Sequence, residues 1–457
     1  MGEESSEVFE TIELGSGRED TGNAERFVSL HRDCARYWHG RNKWMLWNGT
    51  NWADDQEDAV VELAKITAKA IFVEASELPE EEAKKTGRWA ERSLNRDKIA
   101  AMLTLAQSDP NLATTTGTWD RNPWLLNFLN GTVDLHTGVL RPHRKEDYLT
   151  KIVACNYVPD LIGPRWCHFV RQTFGELADW IQKAVGYSLT GITSEKVAFL
   201  LWGVTDTGKS TFLTTLRDVF PAYSSLLQIE TLMGSKNSDN NTSADLADLR
   251  GARLVITSET EEGQRLREAK LKRVTQGMGE IKTARKYENP ITFPETHKLW
   301  LDCNHRPLIR GSDDAIWNRI VPIPCTHQIP EHEKDKDLKA KLLVEKEAIV
   351  SWVVAGAVRW YAEELGRPNL ILRTRQEWRE GMDILGQWIE EQCLQEGESE
   401  ASKLYMDFKP WAEKQGYEHV MTQTAFGTRL VERGFQKDKD NTTRRIIYRG
   451  LRLKSLF

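Results

Sequence analysis

The chain has no long apolar run, no paired-cysteine motif and little net charge. No apolar stretch approaches the length of a membrane span, and the first residues lack the basic and apolar pattern of a signal peptide. We therefore expect a cytoplasmic protein with no membrane partner. The six cysteines are scattered, without a C-x-x-C pair or a histidine at ligand spacing, which favours reduced thiols over disulfides or zinc. The formal net charge is −6, so any nucleic-acid surface must be a local patch.

The length of 457 residues exceeds what one hydrophobic core organises, so several domains are expected in an α/β protein. Residues 1–22 are rich in Glu, Ser and Gly and are predicted to form a disordered tail. Residues 23–164 follow as an α+β domain, and residues 165–330 alternate strand and helix patterns, as in a parallel α/β core. Residues 331–398 are predicted to form a helical lid or linker. Residues 399–457 run helix, helix and two strands, which is the order of a winged helix.

Local patterns predict several elements of the N-terminal region. Residues 44–52 indicate a hairpin closed by Asn-Gly, and residues 126–135 indicate strands around a second Asn-Gly turn. Residues 59–75 and 97–107 are predicted helices, and the acidic residues 80–85 are expected to face solvent. Tryptophan occurs 17 times, and we interpret most of these side chains as core packing, with base stacking the less favoured use.

Residues 203–210 read G-x-x-x-x-G-K-S, between the apolar run 197–202 and a segment with helical spacing at 211–216. That strand, loop and helix context is the one in which such a loop cradles phosphates with its backbone N–H groups. Lys209 is expected to reach the β- and γ-phosphates of ATP, and the Ser210 hydroxyl to ligate Mg²⁺. The alternative is a glycine turn before an ordinary helix. The predicted nucleotide-binding residues are Gly203, Thr205, Asp206, Thr207, Gly208, Lys209, Ser210 and Thr211.

Polar residues then follow further apolar segments. Glu259 comes after the run 254–257 and is the candidate carboxylate for holding Mg²⁺ and orienting the attacking water. Asn304 ends the apolar run that begins at residue 298, where an amide can position water against the γ-phosphate. Arg319 lies in an otherwise apolar segment and is a candidate for stabilising transition-state charge on a neighbouring subunit's γ-phosphate. Taken alone, Arg319 is equally a surface salt-bridge residue.

Two basic segments are candidates for DNA binding. Residues 280–293 read as two extended arms around a Glu-Asn-Pro turn, and a basic hairpin with an aromatic residue can grip a phosphate backbone. The alternative is a solvated hairpin. The C-terminal candidates are the helix at 424–433 and the basic residues of the wing. The candidate DNA-binding residues are Lys282, Arg285, Lys286 and Tyr287 in the hairpin, and Lys437, Lys439, Arg444 and Arg445 in the wing.

The order of these motifs resembles the superfamily III helicases, AAA+ motors of small viruses, phages and plasmids. Within that family the chain is most similar to the phage and plasmid primase–helicase branch, which includes the poxvirus primase-helicase. The stretches that carry this closer resemblance are residues 20–26, 130–135, 186–191 and 304–307.

The resemblance implies roles for the candidate residues. Residues 203–210 become the Walker A loop, Glu259 ends the Walker B strand, Asn304 is sensor 1, and Arg319 is the arginine finger. Lys286 and Tyr287 occupy the pore hairpin. The resemblance also implies a hexameric ring that uses ATP and Mg²⁺, draws single-stranded DNA through its channel with 3′→5′ polarity, and acts on forked or origin DNA. Residues 23–164 become a collar that assembles or loads the ring.

Two departures from the family pattern matter. Many relatives carry Asp before the Walker B Glu, whereas Ser258 precedes Glu259 here, so Ser258 is in doubt as a ligand. Some 20 residues precede the resemblance, which leaves no room for a primase domain. A separate primase partner or a truncated chain would each explain this difference. The predicted function is an ATP-dependent replicative DNA helicase. The alternatives are an ATP-switched DNA-binding initiator or regulator, and a DNA translocase used in defence or packaging.

Overall fold

A computed structural model gives the fold of the chain. It describes residues 17–234, 245–257, 264–284, 290–309, 314–415, 420–440 and 444–454. Helices and strands alternate through most of these residues, so the fold is mixed α/β. Within the same ranges, no helix combines the length and the apolar character that a membrane crossing needs.

The N-terminal region combines four helices with a four-stranded sheet of order β3-β2-β1-β4. Its elements are α1 (Asp20–His31), β1 (Ala35–Trp38), β2 (Lys43–Trp47), β3 (Trp52–Asp54), α2 (Ala59–Ser76), α3 (Glu80–Ser93), α4 (Arg96–Ala106) and β4 (Ala113–Thr114). The antiparallel pairing of β2 with β3 confirms the predicted hairpin, and α2 and α4 confirm the two predicted helices.

The predicted tail is too long by three residues, because α1 begins at Asp20. The Asp20 carboxylate pairs with Lys98 at 3.0 Å, and the buried Asn23 amide donates to Ser93 Oγ at 2.9 Å. These contacts with α3 and α4 hold the first turn of α1 against the N-terminal region.

A second sheet is antiparallel and contains β5 (Leu125–Phe128), β6 (Gly131–Asp134) and β7 (Val139–Arg141). The pairing of β5 with β6 confirms the strands predicted around the second Asn-Gly turn. Leu126 and Val133 lie in the same buried cluster as Phe199 of the central region. The expected boundary at residue 164 therefore does not separate two hydrophobic cores.

The central region is built on a parallel sheet of five strands in the order β16-β8-β15-β11-β9. Its elements are α5 (Pro164–Phe174), α6 (Ala178–Leu189), β8 (Ala198–Trp202), α7 (Lys209–Val219), β9 (Ser224–Leu227), α8 (Ile229–Leu232), β10 (Met233–Gly234), β11 (Leu254–Thr257), β12 (Arg265–Leu266), α9 (Glu268–Val274), β13 (Glu280–Thr283), β14 (Ile291–Pro294), β15 (Lys298–Cys303), α10 (Asp314–Trp317) and β16 (Ile320–Pro324). Because all five strands run the same way, their carboxyl ends meet at one edge of the sheet.

The C-terminal region begins with four helices and ends with two helices and short strands. Its elements are α11 (Leu338–Leu343), α12 (Lys346–Glu363), α13 (Asn369–Met382), α14 (Ile384–Gln392), β17 (Cys393–Leu394), β18 (Glu398–Glu400), α15 (Ala401–Lys414), α16 (Gln423–Glu432), β19 (Gln436–Lys439), β20 (Ile446–Arg449) and β21 (Arg452–Leu453). The strands β18, β20 and β19 form one antiparallel sheet.

The linker predicted at residues 331–398 extends into the unit predicted at residues 399–457, called the terminal unit below. Leu385 and Trp388 of α14 lie in one buried cluster with Phe408 of α15 and Phe426 of α16. The packing therefore includes α14 with the terminal helices, although the sequence assigned it to residues 331–398.

Tryptophan packs mainly in the interior, as predicted. Trp52, Trp166, Trp300, Trp378 and Trp388 are among the largest fully buried side chains of the described residues. Their burial leaves them unable to stack on a nucleic-acid base in this conformation.

Candidate functional site

The loop of residues 203–210 lies at the carboxyl edge of the parallel sheet, between β8 and α7. The strands on both sides of β8 hold it in place. The Gly203 N–H donates to the carbonyl of Cys303 at 3.2 Å, and the Cys325 N–H donates to the carbonyl of Trp202 at 2.7 Å. A Cβ on Gly203 would lie 2.0 Å from the Cys325 carbonyl oxygen, so this close approach requires glycine.

Lys209 is the first residue of α7, and its side chain is buried. Its ammonium donates to the carbonyls of Gly203 at 2.8 Å and Val204 at 2.7 Å, and to Thr207 Oγ1 at 3.3 Å. A cation is thereby held inside the loop at the amino end of an 11-residue helix, where the helix dipole also favours an anion.

The remaining loop residues differ in exposure. Thr205 and Asp206 are exposed, Thr207 is buried, and Thr211 is half-buried on the first turn of α7. The Asp206 carboxylate pairs with Lys334 at 3.0 Å, and its carbonyl accepts from the Ile329 N–H at 2.8 Å. Asp206 therefore ties the loop to the segment that follows β16.

Gly208 adopts a left-handed conformation, with φ at +89°. A Cβ at this position would lie 2.8 Å from Thr173 Oγ1, so the turn leaves no room for a side chain. The glycines, the buried ammonium and the helix terminus together form a cradle of donors that fits nucleotide phosphates.

Ser210 faces a carboxylate that the sequence analysis did not single out. Its hydroxyl donates to Asp302 Oδ2, and Asp302 is only 4% exposed. Hydroxyl and carboxylate oxygens are the ligands that Mg²⁺ prefers, so this donor pair fits the ion. The available sequence signal was an acidic residue within the otherwise apolar run 299–303. The other predicted metal ligand, Glu259, lies outside the described residues.

Asn304 follows β15 directly and is half-buried, two residues beyond Asp302. The structure therefore brings Asn304, Asp302 and the loop to the same edge of the sheet. Arg306 lies close by, with its guanidinium 3.8 Å from the ring centroid of Trp202, and burial lowers its pKa from the ordinary value. Arg306 is a second residue at this edge that the sequence analysis did not select.

A buried thiol lies beside the loop. Burial raises the pKa of Cys325 to about 12, while the positive charge of Lys209 lowers it and the negative charge of Asp302 raises it. Cys325 therefore stays protonated at neutral pH, and the charges of Lys209 and Asp302 both act on the same buried position.

Arg319 is not part of this cluster. It precedes β16, whose first residue Ile320 is in register with Ala198 at the start of β8. Its guanidinium donates to the Ala315 carbonyl at 2.6 Å. The structure thus places Arg319 at the amino edge of the sheet, away from the loop in its own chain.

The two candidate DNA-binding segments are described in part. β13 and β14 pair as the predicted hairpin, with Lys282 exposed and in register with Thr292. Arg285, Lys286 and Tyr287 lie outside the described residues.

In the terminal unit, Lys437, Lys439 and Arg444 are exposed. Arg445 is also exposed, and it donates to the Glu400 carboxylate at 3.0 and 3.2 Å. Part of its charge is therefore already compensated within the protein.

Two family descriptions match parts of the chain. Residues 24–175 match the "D5 N terminal like" family, and residues 201–319 match "Family of unknown function (DUF5906)". The first covers the N-terminal region through α5, and the second covers the loop of residues 203–210 and the strand that carries Asp302.

Similar curated proteins come from large DNA viruses. The "Putative helicase L207/L206" of Acanthamoeba polyphaga mimivirus is 23% identical over 320 residues, which cover 64% of this chain and 33% of that protein. The "Putative helicase 184R" of Invertebrate iridescent virus 6 is 23% identical over 413 residues, which cover 75% of this chain and 42% of that protein. The "Putative helicase 121R" of Invertebrate iridescent virus 3 is 21% identical over 332 residues, covering 64% and 35%. The chain thus spans less than half the length of these relatives.

Among solved structures, the A form apo structure of the NrS-1 C terminal region is similar with a TM-score of 0.49 and 12% identity. The alignment covers 93% of this chain and 98% of that one. A second apo structure of the NrS-1 C terminal region gives a TM-score of 0.42 and 15% identity over 65% of this chain and 77% of that one. Through its match to the D5 N terminal like family and its viral relatives, this chain is similar to the primase–helicase-like proteins of superfamily III from phages and viruses.

Proposed function

We propose that this chain is an ATP-dependent replicative DNA helicase that works as a hexameric ring on single-stranded DNA. One observation carries the proposal. The loop of residues 203–210 holds the Lys209 ammonium at the amino end of α7, where phosphate oxygens can replace the loop carbonyls that it now contacts. The names of the viral relatives support helicase activity as the use of this site.

In this proposal two residues of the loop, Lys209 and Ser210, have defined roles. Lys209 transfers its hydrogen bonds from the carbonyls of Gly203 and Val204 to the β- and γ-phosphates. The Ser210 hydroxyl would hold Mg²⁺. The ion, when bound, neutralises phosphate charge that develops during hydrolysis.

Two further residues act on the γ-phosphate. Glu259 orients the attacking water, and Asn304 is the amide that reads whether the γ-phosphate is present. Asn304 has the better structural support of the two, because it follows β15 at the same edge as the loop. Arg319 completes the site from the neighbouring subunit, where it stabilises charge in the transition state.

The DNA-contacting parts follow from the same arrangement. Strands β13 and β14 present Lys282 to solvent, and Lys286 and Tyr287 come between these two strands in the sequence. We propose that this segment grips single-stranded DNA in the channel. The polarity is proposed as 3′→5′. The region from α1 to β7 serves as the collar. The terminal unit is a winged helix that contacts forked or origin DNA.

The first test is ATP hydrolysis with and without single-stranded DNA, together with the mass of the assembly in the same buffer. We expect a ring whose hydrolysis rises with DNA and is lost in Lys209→Ala. A monomer whose hydrolysis ignores DNA would overturn the motor proposal and leave only a nucleotide-binding protein.

A change in the hairpin distinguishes a translocating motor from a nucleotide-switched DNA-binding protein. We expect the double variant Lys286→Ala/Tyr287→Ala to bind ATP normally and to lose strand separation, because only a translocating motor needs the hairpin. Thr292→Ala is the matched control, since Thr292 is an exposed residue on the facing strand. Normal unwinding by the double variant would contradict the motor.

A further inference from the structure

We propose that Asp302 is a carboxylate of the Mg²⁺ site and that it replaces the acidic residue missing at position 258. This inference rests on the proposed function, because it concerns the same nucleotide loop. The position of Asp302 follows from the order of the strands in the parallel sheet. β15 lies between β8, which leads into the loop, and β11, which leads towards Glu259. Asp302 is in register with Leu201 of β8, and the preceding Leu301 is in register with Thr257 of β11. Asp302 therefore lies at the carboxyl edge of the sheet, between the strand that leads into the loop of residues 203–210 and the strand that leads towards Glu259.

Asp302 also contacts the loop of residues 203–210 directly, through Ser210. Asp302 is the acidic residue of β15, it is 4% exposed, and its Oδ2 accepts from the hydroxyl of Ser210. Burial of a carboxylate is costly unless a hydrogen bond or a cation offsets the lost hydration. Ser210 supplies the hydrogen bond in the present conformation.

The preference of Mg²⁺ for oxygen ligands also fits Ser210 and Asp302. In a loop of this kind the Ser or Thr hydroxyl ligates Mg²⁺, and the ion is held by one or two carboxylates together with substrate phosphates and water. In the sequence, Ser258 comes directly before Glu259, so these two positions offer one carboxylate and not two. Asp302 supplies the second carboxylate from the adjacent strand. In the nucleotide-bound state, Ser210 and Asp302 then share the ion in place of the hydrogen bond.

The test compares binding of the fluorescent nucleotide mantADP in Mg²⁺ and in EDTA. We expect wild type to bind more tightly in Mg²⁺. Asp302→Asn keeps the size and an acceptor for Ser210 but removes the charge, so it should lose about tenfold in affinity in Mg²⁺ and nothing in EDTA. The control is Asp218→Asn, which makes the same change of charge at the far end of α7, where the 31% exposed Asp218 pairs with Lys339. This control should behave as wild type in both buffers.

The outcomes separate the two proposals. If Asp302→Asn keeps the full gain from Mg²⁺, or weakens binding equally in both buffers, Asp302 is not part of the ion site. Failure of folded wild type to bind mantADP in either buffer would overturn the proposed function itself. If Asp302→Asn does not fold, Asp302→Glu provides the test, because it keeps the charge and moves it by one methylene. We then expect a smaller gain from Mg²⁺ with unchanged affinity in EDTA, and an unchanged gain overturns the inference.

Discussion

The Ala198 N–H donates to the carbonyl oxygen of Arg319 at 2.7 Å, which fixes Arg319 at the amino edge of the parallel sheet. Lys209 follows the opposite, carboxyl end of the same strand, β8. At about 3.3 Å per residue, the five-residue strand alone separates the two edges by about 16 Å. Arg319 therefore does not reach the nucleotide loop of its own chain in this conformation, and a catalytic part for it requires a second subunit.

This separation predicts complementation between two inactive variants. Arg319→Ala should bind ATP and fail to hydrolyse it, and Lys209→Ala should fail to bind. If the chain forms the proposed ring, mixed rings contain some interfaces with an intact loop from one chain and an intact arginine from the next. We therefore expect DNA-stimulated hydrolysis to return in part when the two variants are mixed, measured by phosphate release.

The control for this experiment is Arg373→Ala, an exposed arginine of α13 that lies 3.8 Å from Glu377. It should hydrolyse ATP at the wild-type rate. Full hydrolysis by Arg319→Ala alone would contradict a trans-acting arginine. Inactive mixtures that still form rings would also contradict it.

A second prediction concerns the close crossing of α6 and α12. A Cβ on Gly186 would lie 2.0 Å from the backbone nitrogen of Ala357, so the two helices meet backbone to backbone. Overpacking of this kind costs about 1–3 kcal/mol. We expect Gly186→Ala to lower the melting temperature by several degrees, measured by calorimetry.

Gly87 of α3 is the matched control, since nothing lies within 4 Å of a Cβ placed there. Because alanine is the better helix former, Gly87→Ala should hold or raise stability, by about 0.5–1 kcal/mol. Equal melting temperatures for the two variants would show that the α6–α12 crossing relaxes without cost.

Local patterns predicted the elements of this fold better than their assembly. The loop of residues 203–210, its strand and its helix are contiguous, so the sequence alone places them correctly. The partner of Ser210 is 92 residues away, and it comes close only because β15 lies next to β8 in the sheet. No spacing rule gives that strand order, which is why Asp302 was missed.

The region boundaries were missed for a related reason. Leu126 and Val133 read as parts of an independent hairpin, yet their apolar face packs with Phe199 of the parallel sheet. In the same way, α14 has the pattern of any amphipathic helix, and only its packing against α15 and α16 assigns it to the terminal unit. Periodicity identifies an apolar face but does not identify its partner.

A third prediction concerns the basic wing. If the exposed Lys437 contacts a DNA phosphate, Lys437→Ala should weaken duplex binding several-fold. The slope of log affinity against log salt should also become shallower by about 0.9, because binding then releases one counterion fewer from the DNA. Titrations of labelled duplex at several salt concentrations give both quantities.

The comparison variant is Lys65→Ala. Lys65 is an exposed lysine of α2 that pairs with Glu62 at 2.6 Å. It makes the same change of net charge at a site outside the wing and should leave the salt slope unaltered. Identical slopes for the two variants would remove Lys437 from the DNA surface.

The last prediction follows from a buried histidine in the N-terminal region. Burial lowers the pKa of His31 from 6.5 to about 4, and its Nε2 lies 3.1 Å from the Leu63 carbonyl oxygen and 3.0 Å from Thr67 Oγ1. The folded chain therefore binds fewer protons than the unfolded chain between pH 6.5 and 4. Stability is full above pH 6.5 and falls as the pH drops towards 4.

Between pH 7.5 and pH 5, this histidine should cost wild type about 2 kcal/mol. His31→Gln keeps a hydrogen-bond donor and cannot titrate, so the stability difference between wild type and variant should shift by that amount in favour of the variant. Opening free energies from hydrogen exchange in α1 and α2 measure this shift. His332→Gln is the control, because that side chain is 81% exposed in the folded chain. A difference between wild type and His31→Gln that stays constant with pH would mean that His31 accepts its proton without cost in the folded chain.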